Sequence, residues 1–329
     1  MTTELPRHGL LPIDLLAVGL NLLFAVLHLF FLRHPAAGHI ASVPENLLFS
    51  LGFLIAAALI AGLVAMDARG WLRAGSPQHF LRSFAVQLCY PFWFMRVIVL
   101  SQLISNGASF DPLFAALEEA LFGVQLALVL PERFGRLRWL NEIMYFAYFS
   151  YYLLLSGCWW VLYARRRYRD AMHALFVVTA SFAVLYVWYL VFPVHGPKYY
   201  FPELRARWYS DLDGYLFAAI MRWIFADANL AGAAVPSSHV AISLTVLVLC
   251  VRLLPRLAPA IAVVTLLLWV STVYLYAHYA VDVLLGLVVV PPLLAFSWWL
   301  SIRLHGRLPA CRTTGRPVGE PVGYSSSRR

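Results

Sequence analysis

Charge is scarce in this sequence: 12% of its 329 residues are charged, whereas 62% are hydrophobic. A chain this apolar does not fold as a soluble globular domain, because too few polar side chains remain to cover its surface. The four cysteines have neither the spacing of a disulfide framework nor that of a metal site. No cluster of carboxylates indicates a Mg²⁺ site. The composition excludes a soluble globular protein and predicts no metal or other cofactor.

Long apolar runs occupy most of the chain. A transmembrane helix needs about 20 mostly apolar residues. Eight runs meet this need, near residues 10–32, 45–66, 83–105, 140–163, 172–192, 238–255, 258–277 and 280–302. We therefore predict an all-α integral membrane protein, a helical bundle of about eight transmembrane helices. The segments 113–130 and 214–226 are apolar but carry charges, which favours interfacial helices in the outer loops.

The net charge of +9 follows the membrane and does not indicate nucleic acid. With eight spans, the arginine clusters that follow runs two, four, six and eight lie on one side. The positive-inside rule makes that side cytoplasmic. We expect a multi-pass protein of the plasma or inner membrane with both termini in the cytoplasm. The loops after runs three, five and seven then face the periplasm, the exterior or a lumen.

The runs divide the chain into three parts. Residues 1–82 hold two accessory transmembrane helices, residues 83–302 form a six-helix core, and residues 303–329 form a basic cytoplasmic tail that we expect to be disordered. Arg96 lies inside run three of this core. An intramembrane charge is costly, so Arg96 marks either a buried ion pair or a functional residue.

Polar residues precede run six. Ser237 or Ser238 can cap its helix, and the unpaired N–H groups and dipole of a helix start attract an anion. His239 lies in the first turn. Taken alone, this stretch is also explained by an ordinary N-cap with a histidine beside it.

A second polar stretch follows run seven. His278 and Asp282 are four residues apart, so a helix places them on one face. A carboxylate bonded to one imidazole nitrogen fixes the tautomer and leaves the other nitrogen as a nucleophile or base. Runs six and seven are joined by a short turn, so His239 and His278 lie on the same side and can meet. Lys198, the only lysine, and Arg205 lie in an outer loop and either bind phosphate or contact lipid head groups.

At these residues the chain resembles the type 2 phosphatidic acid phosphatase superfamily. That family has Lys-x6-Arg-Pro, then Pro-Ser-x-His, then Ser-Arg-x5-His-x3-Asp. The chain has Lys198 with Arg205-Ala206, then Pro236-Ser237-Ser238-His239, then Ser271-Thr272 with His278 and Asp282. The first motif lacks its proline, and Thr272 replaces the arginine of the third. In this last respect the chain resembles the inositol phosphorylceramide synthase-like branch. Arg207 and Arg222 are candidates for the missing charge.

The resemblance implies a lipid phosphatase or phosphotransferase that works without a metal at the outer face of the membrane. His278 would form a phosphohistidine, Asp282 would orient it, and His239 would protonate the leaving lipid oxygen. The phosphate would be bound by Lys198, Arg205, Ser237 and Ser238. The expected partners are the membrane and a lipid phosphate or phospholipid substrate, with no nucleic acid.

Two other functions stay open. A head-group phosphotransferase of the inositol phosphorylceramide synthase type requires an acceptor alcohol, whereas a phosphatase releases inorganic phosphate. A transporter or channel would carry charges at mid-depth in several spans. In this chain the charges cluster at one surface, with Arg96 as the main exception.

Overall fold

The computed structural model describes residues 10–33, 42–73, 75–201, 204, 212–225 and 231–305, and within these ranges it contains helices and loops but no strand. A short 3₁₀ helix, Phe31–Arg33, follows α1. The α-helices of the described part are, in chain order, α1 (Pro12–Phe30), α2 (Val43–Ala68), α3 (Pro77–Ser105), α4 (Asp111–Phe122), α5 (Leu126–Phe134), α6 (Arg138–Ala164), α7 (Tyr168–Val191), α8 (Pro197–Tyr200), α9 (Leu216–Phe225), α10 (Ser238–Leu253), α11 (Ala258–Tyr274) and α12 (Ala280–His305).

Each of the eight apolar runs coincides with a helix, because a chain in lipid must satisfy its backbone hydrogen bonds within the helix itself. Five described helices, α1, α2, α3, α7 and α12, are long and apolar enough to cross a membrane. The number rises to six if α4 and α5 together form one span. The exact number of eight spans is not confirmed.

Three predicted spans differ from these five. Helices α10 and α11 have 16 and 17 residues, which is short for a membrane crossing. Helix α6 has 27 residues. Its first two turns carry Arg138 and Glu142 and the helix is rich in tyrosine, so it is less apolar than α1, α2, α7 and α12.

The two segments predicted to be interfacial are also helical. Residues 113–130 form two helices instead of one, because α4 ends at Gly123, where φ is +70°. Helices α4 and α5 meet at an angle of 66°, as in a broken span or a re-entrant loop. Residues 214–226 contain α9, which buries Ala218, Met221 and Phe225 on one face.

Helix α7 is the centre of the bundle and packs against α1, α3, α6, α10 and α12. Helices α1 and α2 pack mainly against each other and are joined to α3 by ion pairs in which the arginine is buried. Arg96 Nη1 lies 2.8 Å from Glu45 Oε1, and Arg96 Nε donates to His28 Nε2 at 3.2 Å. Nearer the other end of α3, Arg82 pairs with Asp14 and Asp67. Arg96 is therefore part of a buried polar cluster.

The division into two accessory helices, a core and a tail stays a prediction. Most of the predicted tail, residues 306–329, lies outside the described residues.

Candidate active site

The two histidine motifs meet at one end of the bundle, where α10 begins and the loop between α11 and α12 ends. The Ser237 hydroxyl caps α10 by accepting a 3.4 Å hydrogen bond from the Val240 N–H. The Ser237 N–H donates to the Asp282 carbonyl oxygen at 3.3 Å. A Cβ added to Gly286 of α12 would lie 2.8 Å from the Val240 Cβ. The glycine therefore allows α10 and α12 to pack closely beside the motifs.

Two imidazole rings face each other at this end. His239 Nδ1 lies 3.2 Å from His278 Nε2. His278 is buried, and His239 is half-buried. The His239 ring also packs on Tyr148 and Tyr151, with ring centroids 4.7 Å and 4.2 Å away. The structure thus brings together the two histidines that the motif spacing predicted to meet.

Asp282 lies behind His278 on the side away from His239. Its Oδ2 is 3.4 Å from His278 Nδ1 and accepts a 3.0 Å hydrogen bond from the Tyr279 N–H. The loop that carries His278 is attached to the end of α11, since the His278 N–H donates to the Thr272 carbonyl oxygen at 3.1 Å. The pKa of His278, which lies in the loop outside the spanning segments, is lowered to about 4 by burial, against the effect of a hydrogen bond with the Ala234 backbone. His278 is therefore neutral at physiological pH.

Lys198 is buried in the short helix α8, just after the loop that follows α7, and it borders the same cavity as the two histidines. Its N–H donates to the Tyr276 carbonyl oxygen at 2.9 Å, which joins this loop to the His278 loop. Gly196, at φ +92°, allows the approach: a Cβ there would lie 2.7 Å from the Ala277 carbonyl oxygen. The lysine of the first motif is thus held beside the histidines of the second and third.

A buried aspartate, Asp111 of α4, holds both loops. Its two carboxylate oxygens accept 2.8 Å hydrogen bonds from the backbone N–H groups of His195 and Gly196. Its Oδ1 also accepts a 3.1 Å hydrogen bond from the Tyr279 hydroxyl. About two turns further along the same helix, at ~3.6 residues per turn, Glu118 accepts from the Val281 N–H at the start of α12. Neither carboxylate was predicted from the sequence, since neither lies in a recognised motif.

His195 was also missed. It precedes Lys198 in the loop and lines the cavity, and its buried Nε2 has no hydrogen-bond partner among the residues that the structure describes. Tyr148 and Tyr151 were not predicted as site residues either, and their rings pack against His239. The sequence signal for these residues was their position beside a motif or in a tyrosine-rich run.

The remaining predicted residues differ in their positions. Ser238 lines the cavity, whereas Arg205 and Arg207 lie outside the described residues. Arg222 Nη2 lies 3.3 Å from Asp213 Oδ1, and it does not border the cavity. Thr272, which replaces the motif arginine, is fully buried and donates its hydroxyl to the Trp269 carbonyl oxygen at 2.7 Å. Its side chain is thus engaged within its own helix.

The cavity in front of the histidines has a volume of about 570 Å³ and extends into the bundle. In the described ranges, no group of three or more His, Cys, Asp or Glu side chains is arranged to hold a metal ion. A neutral histidine oriented by a carboxylate, a second histidine, a lysine and a capped helix start can together bind and attack a phosphate ester.

This fold and site define a helical membrane protein with a candidate phosphoester site at one end. A family model described as the PAP2 superfamily matches residues 114–313, more than half of the chain. The chain belongs to the PAP2 superfamily, the family predicted from the three motifs, whose members are generally phosphatases. The narrower resemblance to the inositol phosphorylceramide synthase-like branch is not confirmed. No curated protein and no solved structure matches the chain significantly.

Proposed function

We propose that the protein cleaves a lipid phosphoester through a phosphohistidine at His278. The observation that carries this proposal is the alignment of Asp282, His278 and His239, with 3.4 Å and 3.2 Å between successive pairs of side-chain atoms. Asp282 lies against Nδ1 and favours the tautomer in which Nε2 carries the lone pair. Nε2 is the nitrogen that faces the cavity and His239.

In the first step, the lone pair of His278 Nε2 forms a bond to phosphorus. The bond from phosphorus to the lipid oxygen breaks, its electron pair stays on that oxygen, and His239 in its protonated form gives the oxygen a proton. In the second step, His239 removes a proton from water or an alcohol, whose oxygen attacks phosphorus. The P–N bond then breaks and returns its electron pair to His278. The cycle restores both histidines and consumes one acceptor molecule.

Charge stabilisation is expected from groups that line the cavity, together with Ser237, which is fully buried at the start of α10. Lys198 supplies a positive charge, and Ser237, Ser238 and the first N–H groups of α10 supply hydrogen-bond donors for the non-bridging oxygens. Arg205 of the first motif is expected to join them. His195 with a proton on Nε2 would be a further donor for these oxygens, because this buried nitrogen has no partner in the described part of the chain. Positioning and charge stabilisation account for most of the catalysis of phosphoryl transfer.

The orientation in the membrane is part of the proposal. Arg167 donates to the Leu253 carbonyl oxygen at the end of α10 opposite to the site. The cluster Arg165–Arg169 therefore lies at the far end of the bundle from the histidines. The positive-inside rule then supports a cytoplasmic location for this cluster and an active site facing the periplasm, the exterior or a lumen.

The experiment is to incubate the purified protein with a panel of lipid phosphates and phospholipids and to measure both inorganic phosphate and new lipid products. Phosphate release that needs only water supports a phosphatase. A second candidate is head-group transfer, which is favoured by the position of Thr272, because the motif arginine is missing there. Dependence on an acceptor alcohol supports that candidate, and the absence of both products across the panel contradicts both.

A further inference from the structure

The cavity does not end at the histidines but continues between α3 and α6. On α3 its wall is formed by Phe84, Leu88, Pro91 and Met95, which recur every three or four residues and so share one face of the helix. The facing wall on α6 runs from Tyr148 to Trp160, twelve residues or about 18 Å at ~1.5 Å per residue. We call this part of the cavity the interhelical groove.

The walls of the groove are apolar, and the charge lies at its mouth. Histidines aside, Lys198 is the only ionisable Lys, Arg, Asp or Glu among the described residues that line the cavity, and it lies at the end with His239 and His278. Helix α7 closes the back with Phe182 and Tyr186. This distribution fits a ligand with an anionic head and an apolar tail.

The groove is open on one side. Leu88 and Met95 of α3 and Tyr152 and Trp160 of α6 line it, and each is more than one-third exposed on the outer surface of the bundle. In a membrane this surface faces lipid. Towards the far end, Gln87 of α3 is hydrogen-bonded to Ser156 of α6.

Building on the proposed function, we propose that the interhelical groove binds one long hydrocarbon chain of the lipid substrate, which enters sideways from the bilayer between α3 and α6. The length of about 18 Å is similar to one leaflet, since the hydrocarbon core of a bilayer is ~30 Å thick. The groove is continuous with the phosphate site, so the head and the chain of one molecule fit it together. Helix α3, one of its two walls, lies outside the segment matched by the family model.

Chain length is the first test. The purified protein is assayed with a series of n-alkyl phosphates from butyl to hexadecyl phosphate, and kcat/KM is expected to rise with chain length. Leu88→Trp fills the groove and is expected to lower the ratio of kcat/KM for hexadecyl over butyl phosphate by about tenfold, because most of the apolar contact is lost. The matched control is Leu153→Trp, on the lipid-facing surface of α6 outside the groove, where the ratio is expected to stay as in the wild type. A ratio unchanged by Leu88→Trp overturns the proposal.

Cross-linking separates this proposal from the proposed function. A hexadecyl phosphate with a photoreactive group at the end of its chain is expected to label the residues of α3 and α6 that line the groove. Excess hexadecyl phosphate should prevent the labelling. Labelling of the interhelical groove without any turnover contradicts the proposed function but supports binding of the hydrocarbon chain in the groove. Two results would overturn the proposed role of the interhelical groove alone. One is turnover with labelling outside the groove, and the other is turnover with labelling that excess hexadecyl phosphate does not prevent.

Discussion

The Tyr279 hydroxyl donates a 3.1 Å hydrogen bond to Asp111 Oδ1, although the two residues are 168 positions apart in the chain. Asp111 also accepts from the backbone N–H groups of His195 and Gly196. One carboxylate thus fixes the loop that leads to Lys198 and the loop that carries His278. The spacing between Lys198 and His278 therefore depends on a residue that binds the backbone before Lys198 and the tyrosine after His278.

Asp111→Asn should lower kcat/KM strongly while the protein stays folded. An amide keeps one acceptor oxygen but turns a donor towards a backbone N–H group, and a hydrogen bond to a charged group contributes about 1.5–3 kcal/mol. We expect a loss of about tenfold to a hundredfold. Tyr279→Phe removes only one neutral hydrogen-bond donor and should lower kcat/KM by about tenfold at most. Activity is measured in detergent or nanodiscs beside thermal unfolding.

The control for Asp111→Asn is Glu119→Gln, which changes an exposed carboxylate on the same helix. It should behave as the wild type. Equal activity of the Asp111 and Glu119 variants would show that α4 does not position the site.

His278→Ala should abolish turnover and leave the fold intact. The missing imidazole is the nucleophile of the proposed phosphohistidine, so no covalent intermediate can form. Brief incubation of the wild type with a ³²P-labelled lipid phosphate and quenching in alkali should trap an acid-labile label on the protein. His239→Ala should slow both steps, because it removes the proposed acid and base.

The matched control is His173→Gln, a change on α7 near the end opposite to the site. It should keep the label and the turnover. Substantial activity of His278→Ala is the result that would reject His278 as the nucleophile.

The protonation of His278 gives a pH prediction. Its pKa is lowered to about 4 by burial, so the ring should stay neutral in the native protein until the pH falls towards that value. NMR of ¹³C-labelled histidine, with His278→Gln to assign the resonance, should show this titration. A titration near the ordinary value of ~6.5 would contradict the burial in the structure.

The same shift has a consequence for stability. An unfolded chain takes up this proton near pH 6.5, and the native protein only near pH 4. Between these values the unfolded state binds more protons, so the free energy of unfolding falls as the pH is lowered through this window. His278→Gln lacks this contribution, and its unfolding temperature should fall less over the same range.

Thr272→Val tests the role of Thr272, which stands where the family motif has arginine. The Thr272 hydroxyl donates to a carbonyl oxygen of its own helix and not to the cavity. Removing it should lower stability by about 1 kcal/mol and change kcat/KM by less than about threefold. A loss of activity by more than about tenfold, without loss of stability, would mean that the hydroxyl contacts the phosphate.

The sequence was sufficient for the positions of the long helices and for the meeting of His239 with His278. Apolar runs are visible locally, and a short turn between two of them places their outer ends together. It was insufficient for Asp111, because a carboxylate that binds backbone groups more than 80 residues away leaves no local pattern. The break at Gly123 was missed for a similar reason, since a glycine within an apolar run is compatible with either one helix or two.

The close packing of α10 on α12 at Gly286 affects the space that is available for a phosphoryl group beside His278. Because the Ser237 N–H is hydrogen-bonded to the Asp282 carbonyl oxygen, Asp282 of α12 and the start of α10, which carries His239, are fixed relative to each other. We call this pair of helix starts the frame. A phosphoryl group on His278 Nε2 needs the space where the His239 ring now makes contact. With the frame fixed, we expect that space to open in the proposed mechanism by rotation of the His239 side chain against Tyr148 and Tyr151, so the bulk of these two tyrosines should govern how readily the phosphoryl group is accepted.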